Sequence, residues 1–232
     1  MAITRLSIAK CILRTVDVQS SLCALMPLLP HPWSERGQMG DIRRLCVYCG
    51  SSGMVDERYR TAASELGTRL AAAGIELVYG GGRVGLMGLL ADAALASGGV
   101  VTGIIPARLA AAELAHLGAT TLIVVDSMHD RKREMAERSD AFAVLPGGIG
   151  TLDEMFEILS WKQLKLHAKP IFLVDIAGYW EPLRTVLDHV ITKGFARPEA
   201  HDLLQVVSTV AELMSVLATE PAPVLDMDPD RF

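Results

Sequence analysis

The chain has 232 residues, half of them hydrophobic and 21% charged, with a net charge of -5 and a pI of about 5.7. That length suits one large domain with appendages, and the composition supports a sizeable core and excludes a disordered chain. The acidic balance excludes a general nucleic-acid binder, and no apolar run reaches the roughly 18 residues needed to cross a bilayer.

Residues 1–41 read differently from the rest of the chain. Their periodicity is poor, and Pro27, Pro30 and Pro32 break any helix or central strand. The basic start and the apolar stretch Leu22 to Leu29 resemble a signal peptide, but Pro27 interrupts the apolar region and no small-x-small cleavage site comes after it. Met39 is an alternative start. The expectation is a loosely ordered extension over 1–41, one domain over 42–220, and a proline-marked tail over 221–232.

From Ile42 the pattern becomes regular. Leu45 to Cys49 reads as a strand, Gly50 to Gly53 as a turn, and Asp56 as the cap of a helix that runs to about Ala73 and stops at Gly74. Ile75 to Tyr79 is a strand ending in Gly80-Gly81-Gly82, followed by a small-residue helix over Leu86 to Ala96. Val100 to Ile105 is a third strand, Ala107 to His116 a short helix, and Thr121 to Val125 a fourth strand. A charged helix opens at Met128 and ends near Ser139. Ala141 to Leu145 then leads through Pro146-Gly147-Gly148-Ile149-Gly150 into a helix from about Leu152 to Lys165. Ile171 to Val174 and Leu204 to Val207 are further strands, with helices over Tyr179 to Lys193 and Val210 to Ala218.

Strands that are nearly continuous apolar runs are buried on both faces. Alternating with helices, they predict a doubly wound, mostly parallel α/β sheet of Rossmann-like type. In such sheets ligands bind beyond the carboxyl ends of the strands, so the three glycine turns should meet in one cleft.

Four cysteines occur, Cys11, Cys23, Cys46 and Cys49. The last two form a C-x-x-C within a strand, where positions three apart face opposite sides and cannot share a metal. The expectation is therefore structural cysteines, a reducing cytoplasmic setting, and no metal. Gly80, Gly82 and Gly85 satisfy G-x-G-x-x-G, yet the next strand ends Ile104-Ile105-Pro106 without the acidic residue a dinucleotide site wants. These glycines serve close packing or a mononucleotide phosphate.

Two stretches bear chemistry, and each has two readings. Arg131, Lys132, Arg133, Glu134, Glu137 and Arg138 either form a solvated helix with ion pairs such as Arg131 with Glu134, or place a guanidinium beside the cleft. Thr151-x-x-Glu154 is either a capping box or a phosphate-binding helix start with a carboxylate in its first turn. Spacing leaves both open.

Pro146 to Glu154 reads P-G-G-x-G-T-x-x-E, and Met128 to Lys132 reads M-H-x-R-K. With Cys49-Gly50-Ser51-Ser52, Tyr79-Gly80-Gly81-Gly82 and Gly85-Leu86-Met87-Gly88, they make the chain resemble the Lonely Guy family over about Arg44 to Leu217. These are cytokinin riboside 5′-monophosphate phosphoribohydrolases, long mislabelled as lysine decarboxylases. The resemblance implies hydrolysis of an N6-substituted adenosine 5′-monophosphate to free base and ribose 5-phosphate, with no cofactor. It also implies Arg131 and Glu154 as the catalytic pair. Glu113, Lys132, Gly147, Gly148, Ile149, Gly150, Thr151 and Ser160 would contact the nucleotide, joined by Ser51, Gly81 and Gly82 from the other turns. Ser160 stands where plant members usually carry threonine, and Ile149 replaces a tyrosine common in the loop. The alternatives are a nucleosidase preferring plain AMP and a non-catalytic nucleotide or cofactor carrier on the same fold. The implied partners are the nucleoside 5′-monophosphate and a second copy of the chain in a homodimer, with no nucleic acid and no membrane. A pyridoxal-dependent decarboxylase would need an activated Schiff-base lysine, and no residue identifies one.

Overall fold

A computed structural model describes residues 42–112 and 114–220. The expected extension over 1–41, with Cys11 and Cys23, the tail over 221–232, and Glu113 lie outside the described residues.

Among the described residues, seven strands form one sheet: β1 (Arg44–Tyr48), β2 (Glu76–Tyr79), β3 (Val101–Pro106), β4 (Thr121–Val125), β5 (Ala141–Val144), β6 (Ile171–Val174) and β7 (Gln205–Val207). The helices between them are α1 (Glu57–Ala72), α2 (Gly85–Ala96), α3 (Ala107–Ala111), α4 (Met128–Glu137), α5 (Ile149–Gln163), α6 (Glu181–Thr192) and α7 (Val210–Leu217). The spatial order is β4-β3-β2-β1-β5-β6-β7, and every pairing is parallel. The doubly wound expectation holds.

Strand alternation divides the core between two layers. Leu45, Val47, Cys49, Leu77, Tyr79, Ala141 and Ala143 join the buried residues of α1, α2 and α7 in one apolar cluster. On the opposite face α4 packs against β3 and α5 against β1. Cys49 belongs to the first cluster, whereas Cys46 interacts with Tyr48 and Ser139. Both thiols are free and buried, and burial pushes both well above the ordinary thiol range, which leaves them unreactive.

Helix ends obey local chemistry. The Asp56 carboxylate accepts from the Arg58 amide at 3.0 Å, which starts α1, and Gly74 takes the left-handed conformation (φ 68°) just beyond its end. Inside α1, Gly67 has a steric purpose. A Cβ there would run into the Leu90 carbonyl and come within 2.9 Å of the Ala94 amide nitrogen, so its absence sets how closely α1 and α2 cross.

Two helices differ from the pattern-based expectation. The helix expected over Ala107 to His116 ends at Ala111. Residues Leu114 to His116 instead pair with the glycine turn: the Arg83 amide donates to the Leu114 carbonyl, and the His116 amide to the Gly81 carbonyl, both at 2.9 Å. Backbone pairing to a distant loop outcompetes continuation of a short helix with no buried face. The second difference concerns α5, which starts at Ile149 rather than Leu152.

The sheet has its topological switch between β1 and β5. The chain steps from β1 outward to β4, then returns to lay β5 on the other side of β1. The loops after β1 and β5 therefore emerge side by side, tied by the Gly50 amide donating to the Pro146 carbonyl at 3.1 Å. This is where an open α/β sheet has its ligand crevice.

Candidate active site

Three strand ends and two helices bound the crevice. Ser127 caps α4, its hydroxyl accepting from the Asp130 amide at 3.0 Å, which puts Arg131 in the opening turns of that helix. Arg131 is only 8% exposed. Its Nε donates to the Ile104 carbonyl at 3.1 Å and its Nη2 to the Gly80 carbonyl at 2.7 Å. The remaining nitrogen, Nη1, lies 3.9 Å from Glu154 Oε1 and 3.8 Å from Met128 Sδ.

The solvated-helix reading therefore holds for Arg133, Glu134 and Arg138 and fails for Arg131 itself. Arg138 pairs with Glu134 at 2.9 Å, and Arg133 with Asp130 at 2.8 Å, both near the surface. The pair considered between Arg131 and Glu134 does not form, because Arg131 points inward onto the sheet ends.

The capping-box reading of Thr151 and Glu154 is corrected in the same way. The residue at the N-cap of α5 is Gly148, and no side chain caps it. Thr151 is already inside the helix and buried, packed against Gly147, where a Cβ would collide with the threonine side chain. Glu154 comes in the second turn, not the first, so it is too far along to cap the start. Its side chain turns inward and is 11% exposed. Burial pushes its carboxyl up to about 7 against an ordinary 4.5. The Arg131 guanidinium opposes that rise, Asp153 adds to it, and Lys132 and Glu157 act weakly in opposite directions.

Around this pair the loops are open and glycine-lined. A Cβ on Gly148 or Gly150 would meet nothing, and Ile149 between them is 83% exposed, so the first turn of α5 faces the crevice without a covering side chain. Tyr179 donates its hydroxyl to the Gly147 carbonyl at 2.6 Å and holds the loop from the side. Its ring leans edge-on against Tyr59 and Trp180.

The other residues implied by resemblance are spread around the same crevice and along α5. Lys132 Nζ lies 3.1 Å from Asp153 and 3.2 Å from Glu157, bridging α4 to α5. Burial works against its charge, but the two carboxylates outweigh that and hold its pKa above the ordinary value. Ser160 is exposed further along α5 and donates to the Phe156 carbonyl at 2.7 Å. Gly81 is left-handed (φ 69°), and a Cβ would stand 3.1 Å from Ile104 backbone atoms. Gly82 faces the Met87 side chain. Ser51 is exposed, with its backbone packed where a Cβ of Gly85 would fall. Within the G-x-G-x-x-G set, Gly80 and Gly85 are required by close packing. Sequence reasoning missed Gly80 as the seat of Arg131 and Tyr179 as the latch on the loop. Gly80 had a signal, the triple glycine, but Tyr179 had none.

Among the described residues, no group of three or more His, Cys, Asp or Glu is gathered where it could hold a metal ion. Among the same residues, no helix is long and apolar enough to cross a membrane.

A parallel sheet with a bare helix N-terminus at its switch point defines a class: α/β proteins that hold a phosphate-bearing ligand at the strand ends. Within that class, residues 87–217 match the family described as "Possible lysine decarboxylase". The chain is 45% identical over 175 residues to a rice (Oryza sativa subsp. japonica) protein named "Probable cytokinin riboside 5′-monophosphate phosphoribohydrolase", covering 75% of this chain and 72% of that protein. It is 43% identical over 183 residues to an Arabidopsis thaliana protein named "Cytokinin riboside 5′-monophosphate phosphoribohydrolase", covering 79% of this chain and 85% of that protein. Among solved structures, a molybdenum cofactor binding protein from Rippkaea orientalis aligns with a TM-score of 0.60 at 20% identity, covering 77% of this chain and 97% of that one. That likeness shows the fold alone. The chain belongs to this family, and the relatives it matches are named as phosphoribohydrolases.

Proposed function

We propose that this protein hydrolyses the N-glycosidic bond of N6-substituted adenosine 5′-monophosphates, releasing the free base and ribose 5-phosphate. The observation that carries this reading is the buried pair of Arg131 and Glu154, side by side at the switch point and next to the uncovered N-terminus of α5. A phosphate seats on that N-terminus, where the amides of the Gly147 to Thr151 segment and the helix dipole favour an anion. Ser51, Gly81, Gly82, Lys132, Ser160 and Glu113 are proposed to line the rest of the nucleotide site.

The chemistry matches the pair. As the bond from C1′ to the base nitrogen breaks, its electrons leave with the base and positive charge grows on C1′ and the ring oxygen. The ionised Glu154 carboxylate stabilises that charge and takes a proton from the attacking water. The water oxygen and one hydrogen end on C1′, the other hydrogen ends on the base, and the stoichiometry closes with water alone. A pKa of about 7 suits a group that accepts and returns a proton at neutral pH. Lys132, held protonated by two carboxylates, suits an ion pair and not the Schiff base of a decarboxylase.

The homodimer and the cytoplasmic setting are part of the same proposal, supported by the reading of the sequence. The test is product analysis after incubation with isopentenyladenosine monophosphate, plain AMP, and the riboside that lacks the phosphate. Free base from the first, at about 10²-fold or more the rate of the riboside, is expected, because phosphate binding energy supports the reacting centre. A faster reaction on AMP turns the reading to a general nucleosidase. No base from any of them refutes hydrolysis and leaves a carrier.

A further inference from the structure

The guanidinium of Arg131 is docked on the backbone. Its Nε and Nη2 donate to the carbonyls of Ile104, in β3, and Gly80, the residue after β2. Both acceptors are uncharged, so they orient the group without cancelling its charge, and Nη1 is left facing Glu154. The dock exists only because residue 80 has no side chain. A Cβ built there would overlap Arg131 Nη2 and stand 2.9 Å from Cζ and 3.3 Å from Nε. Gly80 lies outside the left-handed region, so its backbone would accept alanine without strain. The space, and not the conformation, is what requires glycine.

We propose that Gly80 is a positioning residue of the active site: its missing side chain and its carbonyl together aim the Arg131 guanidinium at Glu154. This inference rests on the reading of Arg131 and Glu154 as the catalytic pair. Adding one methyl group at Gly80 displaces the guanidinium from its carbonyl and from the carboxylate, while leaving both catalytic side chains in the sequence.

A purely structural glycine would, when replaced, lower stability and leave the protonation chemistry of Glu154 unchanged. A positioning glycine changes that chemistry. The charged and titratable groups around Glu154 are Arg131 and Lys132 from α4, Asp153 and Glu157 from α5 itself, and Cys46 and Tyr48 on β1 with Cys49 just beyond it. The three atoms nearest the position that is changed all belong to Arg131. Losing its attraction moves Glu154 further up, since an opposite charge at this range holds a carboxyl down by about one pH unit or more.

The experiment measures kcat against pH for the full chain, for Gly80→Ala, for Arg131→Ala and for the double variant, with unfolding temperatures for all four. The expected result is a kcat lower by at least about tenfold in Gly80→Ala, with the ascending limb of its pH profile about one unit higher. In the Arg131→Ala background, Gly80→Ala should change kcat by less than about twofold, because the two act through one interaction. If Gly80→Ala fails to fold, the double variant should fold and unfold at a higher temperature, because truncating the arginine frees the space the methyl needs. The inference is overturned if Gly80→Ala keeps the normal pH limb and kcat, if its loss is undiminished without Arg131, or if the double variant is no more stable than the single one. Failure of the underlying reading looks different: Arg131→Ala and Glu154→Gln would themselves turn over normally.

Discussion

Replacing Glu154 by glutamine exchanges one oxygen for one nitrogen in a side chain that α5 holds 11% exposed beside Arg131. Because α5 starts at Ile149, the change removes no helix cap. It removes the ability to ionise. A carboxyl pushed from 4.5 up to about 7 by burial is more stable protonated in the folded protein than in the unfolded chain. Its favourable contribution is therefore complete below about 4.5 and is lost as pH rises through about 7. At about 1.4 kcal/mol per pH unit, the loss amounts to roughly 3 kcal/mol above pH 8. Glutamine, always neutral, escapes it. Relative to the parent, Glu154→Gln should gain about 2–3 kcal/mol of stability between pH 5 and pH 8, whatever the variant's offset at pH 5. Urea unfolding at the two pH values reads this difference, and the attraction of Arg131 for the ionised carboxyl is already contained in the value of about 7. Turnover moves the other way: release of base should fall about 10²-fold or more, while the monophosphate still binds. A stability difference that does not change with pH would refute the buried, raised carboxyl. Normal turnover would refute its place in the reaction.

Arg131→Lys should lose at least about tenfold in kcat, since an ammonium cannot span the Gly80 and Ile104 carbonyls as the planar fork does; steady-state rates on the monophosphate decide it. Gly67→Ala should destabilise by about 1–3 kcal/mol in thermal or urea unfolding, although alanine is the better helix former, because its methyl meets the α2 backbone. A gain in stability would contradict that packing. Tyr179→Phe deletes the hydroxyl that holds the Gly147 carbonyl and should raise KM for the monophosphate by about 3- to 10-fold, consistent with one hydrogen bond. An unchanged KM would remove Tyr179 from the account of the loop. With Gly80→Ala, the Arg131 and Tyr179 variants probe both walls of the crevice.

The range of the forces involved decides how much of the protein was legible in its residues. Apolar runs such as Leu45 to Cys49, Ala141 to Leu145 and Ile171 to Val174, alternating with helical patterns, determined a parallel sheet, because only burial on both faces accommodates such strands. The glycine turns at the ends of β1, β2 and β5 likewise determined that the crevice lies at the carboxyl edge. What local pattern left undecided was the meaning of two charged residues. Thr151 and Glu154 satisfy a capping box by spacing, and the helix could begin at either end of Ile149 to Leu152 at similar local cost. Packing of Thr151 against Gly147 moves the start to Ile149 and turns Glu154 inward. For Arg131 the local partner Glu134 was one turn away, yet its actual acceptors stand 27 and 51 positions off, at Ile104 and Gly80. Hydrogen bonds over such separations exist only after the sheet has brought β2 and β3 beside α4, and no periodicity within a helix encodes them. The fold was written in short-range pattern; the pairing of Arg131 with Glu154 was decided by tertiary packing alone.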